Sequence, residues 1–127
     1  GVAFQIQDDV LNLIGEEEKY GKEIGGDIWE GKRTLITLHL LRSVDPEESR
    51  EILNTLSKKR EEKTEADVRR VLEFMKSYDS VAYAKAVAKK LSEKARGYFE
   101  HRLKALPEGE AKTVLRGIVD FVVEREL

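Results

Sequence analysis

The sequence predicts an all-α chain, a bundle of helices. Apolar residues recur three and four apart along most of its 127 residues, as in Val68, Val71, Leu72 and Met75. That is the spacing of one face of a helix. Two helix starts are written out in full, Asp45-Pro46-Glu47-Glu48 and Thr64-Glu65-Ala66-Asp67. No run shows the strict apolar/polar alternation of a half-buried strand.

Residues 1 to about 14 form the opening helix. Val2, Ala3, Phe4, Ile6, Val10, Leu11, Leu13 and Ile14 make it apolar on most sides, as suits a helix inside a larger bundle. Asp8 and Asp9 interrupt this run. At about 100° per residue, Asn12 lies one turn after Asp8 and Gln5 one turn before Asp9. The four residues form one polar edge. Gly15 ends the helix, as glycine commonly does. Glu16, Glu17 and Glu18 read as a solvated acidic run. The segment from Gly15 to Gly31 reads as a loop, long for a compact domain and of a length more often functional than incidental. Trp29 within it reads as an anchor against the helices in preference to a substrate contact.

Thr34 to Arg42 is the next helix, with Leu35, Leu38 and Leu41 on one stripe and His39 among them, a satisfied core or half-buried histidine in preference to a ligand. Asp45 caps the following helix, Pro46 suits its first position, and Glu47 and Glu48 favour the positive end of its dipole. Ile52, Leu53 and Leu56 form its apolar side. Lys58 to Lys63 reads as a charged linker. Thr64 and Asp67 resemble a capping box. Ser80 is placed to cap a long helix running to about Leu106, with Ala84, Val87, Ala88, Leu91, Ala95 and Tyr98 inward. Gly97 weakens it locally, and His101 is exposed. Pro107 to Glu110 breaks the chain, and Ala111 to Glu124 is the last helix.

The length implies one domain. With 23 basic and 25 acidic residues the net charge is −2, so no nucleic-acid footprint appears. Cysteine is absent, which excludes disulfides and thiolate metal sites. No apolar run reaches the length of a membrane span, and no stretch reads as a signal peptide. The expected location is cytoplasmic. The start at Gly1-Val2-Ala3-Phe4 reads as mid-helix, the expectation being a portion of a longer polypeptide.

The chemistry centres on the polar edge. Asp8 is a hard oxygen ligand suited to Mg²⁺, which is usually held by one or two carboxylates together with substrate phosphates. Lys22, Lys32 and Arg33 bring positive charge after it. Glycines at 15, 21, 25, 26 and 31 allow a backbone that hugs a ligand. Carboxylate, metal and lysine around phosphate make up the expected toolkit for diphosphate chemistry. The plainer reading makes Asp8 and Asp9 a solvated pair and the lysines surface charges.

Phe4-Gln5-Ile6-Gln7-Asp8-Asp9-x-x-Asn12 precedes Gly21-Lys22-x-x-Gly25-Gly26-Asp27-x-x-Glu30-Gly31-Lys32-x-Thr34-Leu35. In that order and spacing the two resemble the second aspartate-rich motif region of the trans-isoprenyl diphosphate synthases, the polyprenyl synthetases. Leu106-Pro107, with Ala111, Leu115, Phe121, Val122 and Arg125 after it, resembles the family's terminal helix pair. The resemblance implies that residues 1–127 are the C-terminal half of an isoprenoid synthase helical bundle around a central cavity, with the N-terminal half missing. It implies head-to-tail condensation of isopentenyl diphosphate with an allylic diphosphate, with Mg²⁺ as cofactor. Asp8 would hold a Mg²⁺ bridging the allylic diphosphate, with Asp9 beside it and Asn12 at the last motif position, where the family often has Asp. Lys22 and Lys32 would contact the diphosphate. Gln5 and Phe4 would line the allylic pocket near the developing cation, Phe4 by its π-face. Asp8, Lys22 and Gln5 are the implied catalytic residues. The family's first aspartate-rich motif is not found, so the chain alone is expected to be half a site and inactive. A homo-oligomer is implied. The alternatives are a non-catalytic helical accessory module derived from such a synthase, and a related terpenoid cyclase.

Overall fold

The computed structural model describes residues 1–14 and 25–123, with side chains as far as 121. The expected stop at Gly15, the Glu16–Glu18 run and Lys22 lie outside the described residues. Among the described residues all regular structure is helical, as the sequence predicts. Helix α1 spans Val2–Ile14, α2 Gly26–Trp29, α3 Leu35–Ser43, α4 Pro46–Ser57, α5 Glu65–Ser77, α6 Ser80–Lys104 and α7 Glu110–Val123. A 3-10 turn at Arg60–Glu62 connects α4 to α5.

The helix starts follow local chemistry. Asp45 accepts from the Glu48 N–H, and the Glu48 carboxylate accepts from the Asp45 N–H, with Pro46 in the first turn. Thr64 and Asp67 make the same reciprocal pair at 3.2 and 3.0 Å. Both boxes satisfy N–H groups that have no partner within the helix. Thr34 caps α3 by accepting from Thr37. Ser80 departs from expectation. It is the first residue of α6, entered through Asp79 in a left-handed conformation (φ 54°) with no side-chain cap. The buried Ser80 hydroxyl instead meets His39 Nδ1 at 2.9 Å. His39 is half-buried and stacks on Tyr83, with centroids 4.2 Å apart.

The 25 residues of α6 are the spine of the molecule, roughly 37 Å long at 1.5 Å per residue. It packs against α1, α3, α5 and α7. Ala84 and Ala88, one turn apart and fully buried, belong to a core shared with Val10, Ile36, Leu40, Ile52, Val71 and Met75. Small residues on the spine allow neighbouring helix axes to come close. The leucine stripe expected on α3 holds in part, since Leu35 and Leu41 pack against the core at partial burial. Ile36, Thr37 and Leu40 face the core, while Leu38 is 50% exposed. This helix packs against α1, α5 and α6 together, and their position selects the 36/37/40 face. Leu91 and Tyr98 on α6 are exposed instead of inward. The segment Gly25–Gly31 is not all loop, because Gly26–Trp29 closes one helical turn.

Candidate functional site

The polar edge of α1 meets the turn that carries Lys32. Asp9 is only 7% exposed. Its Oδ1 accepts from Gln5 Nε2 at 3.2 Å, one helical turn away, and from Lys32 Nζ at 3.1 Å. A buried carboxylate is costly unless paired and hydrogen-bonded, and here it has both kinds of partner. The hydrogen bond to Asp9 holds the Lys32 ammonium above the ordinary lysine range. Burial opposes this, and the fields of Asp27, Asp9 and Glu30 add to it. The Lys32 side chain as a whole remains close to half exposed. Asp8 is half-buried beside Asp9, and Phe4, one turn earlier on the Asp8 side, is 39% exposed.

The turn itself is tied down at both ends. At its start, Asn12 Oδ1 accepts from the Asp27 N–H at 3.0 Å, and the Asn12 backbone carbonyl accepts from the Gly25 N–H at 3.0 Å. The residue before α2 is Gly25 at φ 77°, which has no side chain to cap it, so α1 supplies the cap. A Cβ on Gly26 would stand 3.4 Å from Asn12 Nδ2. At its end, Lys63 Nζ donates to the carbonyls of Ile28 at 2.8 Å and Trp29 at 2.7 Å. Trp29 packs against the core as the expected anchor, with the Arg60 guanidinium 5.8 Å over its ring.

Of the residues singled out in sequence, Gln5, Asp9 and Lys32 are joined by hydrogen bonds, Asn12 holds the start of the turn, and Asp8 and Phe4 lie on the same helix α1. Lys22 is outside the described residues. Sequence reasoning missed Lys63, which stood in a run of charges of both signs, and Ile28, which is buried within a supposed loop. Among the described residues, no three His, Cys, Asp or Glu side chains gather to hold a metal by themselves. The oxygen donors of Asp8 and Asp9 fit Mg²⁺ that completes its shell with water and substrate phosphate. Asn12 offers no charge, and its oxygen already accepts from Asp27.

Residues 1–75 match the family model described as polyprenyl synthetase. Over 126 residues the chain is 39% identical to a short chain isoprenyl diphosphate synthase from Methanothermobacter thermautotrophicus, covering 99% of this chain and 36% of that protein. It is 33% identical to a geranylgeranyl diphosphate synthase from Saccharolobus solfataricus, covering 98% and 36% respectively. Among solved structures it resembles geranylgeranyl pyrophosphate synthetase from Pyrococcus horikoshii, with TM-score 0.74 and 38% identity over 98% of this chain and 36% of that one. The chain thus spans about a third of the length of these relatives. With the motif residues, the helical fold and these matches in agreement, the chain belongs to the polyprenyl synthetase family.

Proposed function

We propose that this chain provides the diphosphate-handling face of a prenyltransferase that condenses isopentenyl diphosphate with an allylic diphosphate. The observation that carries this reading is the contact between Asp9 and Lys32. It joins the acidic edge of α1 to the lysine-bearing turn across 23 residues of sequence. Family membership supports the reaction class, and the relatives named as isoprenyl diphosphate synthases support prenyl diphosphate chemistry.

In the reaction, the allylic carbon–oxygen bond breaks and its electron pair leaves with the diphosphate. The double bond of isopentenyl diphosphate attacks the allylic cation, and a proton then departs. The barrier lies in the charge that builds on the leaving oxygen, which fixed cations and metal stabilise. Mg²⁺, when bound, supplies positive charge to the leaving diphosphate. Asp8 holds it, with Asp9 beside it. Asp9 in turn orients Lys32, whose ammonium reaches the diphosphate. Lys22 adds a second cation. Asn12 sets the turn instead of serving as a strong ligand. Phe4 and Gln5 line the allylic pocket, Phe4 offering a π-face to the cation. The isopentenyl site and the opposing metal ligands come from helices beyond residues 1–127, so this chain alone is inactive, and the working protein is a homo-oligomer.

The test is Asp8→Ala in the intact protein, assayed with labelled isopentenyl diphosphate. Turnover should fall by several orders of magnitude with the fold unchanged by circular dichroism, since Asp8 carries charge and not packing. Near-normal condensation by that variant would remove Asp8 from the mechanism.

A further inference from the structure

Lys63 is 6% exposed. An ammonium withdrawn from water is costly unless well partnered. The partners of Lys63 are two backbone carbonyls, Ile28 O at 2.8 Å and Trp29 O at 2.7 Å. Burial, with Arg60 and Arg33 nearby, holds its pKa below the ordinary lysine range. The position of those carbonyls explains what the arrangement achieves. Ile28 O also accepts from the Gly31 N–H at 3.0 Å, and Asp27 O accepts from the Lys32 N–H at 2.8 Å. The chain then reverses at Gly31, φ 68°, with its α-carbon pressed toward the Leu56 carbonyl. Lys32 leaves this reversal and reaches Asp9. The end of the turn from which Lys32 projects is therefore held by one amine from the connector after α4.

We infer that Lys63 is a positioning residue: by clamping the Ile28 and Trp29 carbonyls it sets the turn that aims Lys32 at Asp9 and at the diphosphate. This rests on the diphosphate role proposed for Lys32. Lys63 touches neither substrate nor Asp9, and it acts through the backbone of residues 28–32. A merely stabilising clamp would have the same contacts, so the experiment must separate the two roles.

The variants are Lys63→Met, Lys32→Gln and the double variant, made in the intact protein. The first readout is KM for the allylic diphosphate, with inhibition by inorganic diphosphate measured alongside. A charge-assisted hydrogen bond lost to the ligand corresponds to about a tenfold to hundredfold rise for Lys32→Gln. Lys63→Met should give a rise in the same direction, and the double variant should be no worse than Lys32→Gln alone, because residues acting through one another are not additive. The second readout is amide hydrogen exchange. In Lys63→Met the amides of Glu30, Gly31 and Lys32 should exchange about tenfold faster or more while those of α4 and α5 keep their protection. Multiplicative effects in the double variant, or a uniform loss of protection, make Lys63 a general stabiliser and overturn the inference. Unchanged diphosphate constants in Lys32→Gln alone overturn the role of Lys32 and the link from Lys63 to substrate, and the exchange pattern still decides whether Lys63 sets the turn. Where Lys63→Met fails to fold, Lys63→Arg serves, since a planar guanidinium keeps the charge but not the geometry. It should fold and show the same KM rise, and a wild-type KM with Lys63→Arg also overturns the inference.

Discussion

At Gly31 one hydrogen atom decides the geometry. The residue has φ 68°, and a Cβ there would overlap the Leu56 carbonyl oxygen. A left-handed conformation costs a non-glycine residue roughly 1–2 kcal/mol, and backbone overlap adds to it. Gly31→Ala should therefore lower stability by more than about 2 kcal/mol. In urea this appears as a lower midpoint with an unchanged slope. A midpoint equal to that of the parent would show that the turn moves freely away from α4. The glycine was legible in the sequence as part of a ligand-hugging loop, but its neighbour was not. Leu56 is 25 residues away in the chain, and only folding brings its carbonyl to Gly31. The same holds for Asn12. Its place in the motif was readable, whereas its bond to the Asp27 N–H depends on how α2 lies against α1.

Among the elements, the α4 and α5 starts are the most locally determined, since both capping boxes are closed by residues three apart. Thr64→Ala should lower stability by about 1 kcal/mol. Asp67 adds a pH dependence. The backbone hydrogen bond at Thr64, then the Lys58 ammonium 3.1 Å away, hold its carboxyl below 3.8. The folded form therefore holds this proton less tightly than the unfolded form. The contribution is present above pH 3.8 and is lost as pH falls through the lower folded value. Asp67→Asn should flatten the acid limb of a stability–pH curve measured by thermal melting. An unchanged limb would assign acid sensitivity to other carboxylates. Helix α3 behaves differently, because its leucines offer two possible faces. The full burial of 36/37/40, with Leu35 and Leu41 only partly covered and Leu38 exposed, belongs to the helices around it.

For the molecule as a whole, the two ends of α6 are unlike. Its first half lies in the shared core. Its last half meets α7 across an open groove of about 540 Å³ lined by Phe99, Leu103, Leu106, Leu115 and Ile118. Arg96 and Asp120 tie the two helices at 2.7 Å. Val114, Ile118 and Phe121 nevertheless stand out from α7, Phe121 at 79% exposure. A contiguous apolar patch of this kind drives association. Residues 1–127 alone should self-associate and bind a hydrophobic dye, and Ile118→Lys with Phe121→Lys should reduce both. Because both sites are exposed, stability should shift by no more than about 0.5 kcal/mol per change. Light scattering that finds a monomer with no dye bound would show that the patch is satisfied within the chain. Among the described residues no helix is long and apolar enough to cross a membrane.

The sequence by itself determined the helical class, the caps of α4 and α5, and the two motifs that mark the family. The class and the caps rest on residues within a few positions of one another, where helical geometry fixes who meets whom, and the motifs rest on residue order and spacing along the chain. Tertiary structure decided the face of α3, the diversion of Ser80 to His39, and the turn at Gly26–Trp29. It also decided that Lys63, one cation in a run of charges, would be the one taken from water. Those outcomes depend on groups from 15 to 41 residues apart, about which local periodicity carries no information. Burial turned one lysine of the run into a clamp because its ammonium, taken from water, finds the Ile28 and Trp29 carbonyls as acceptors.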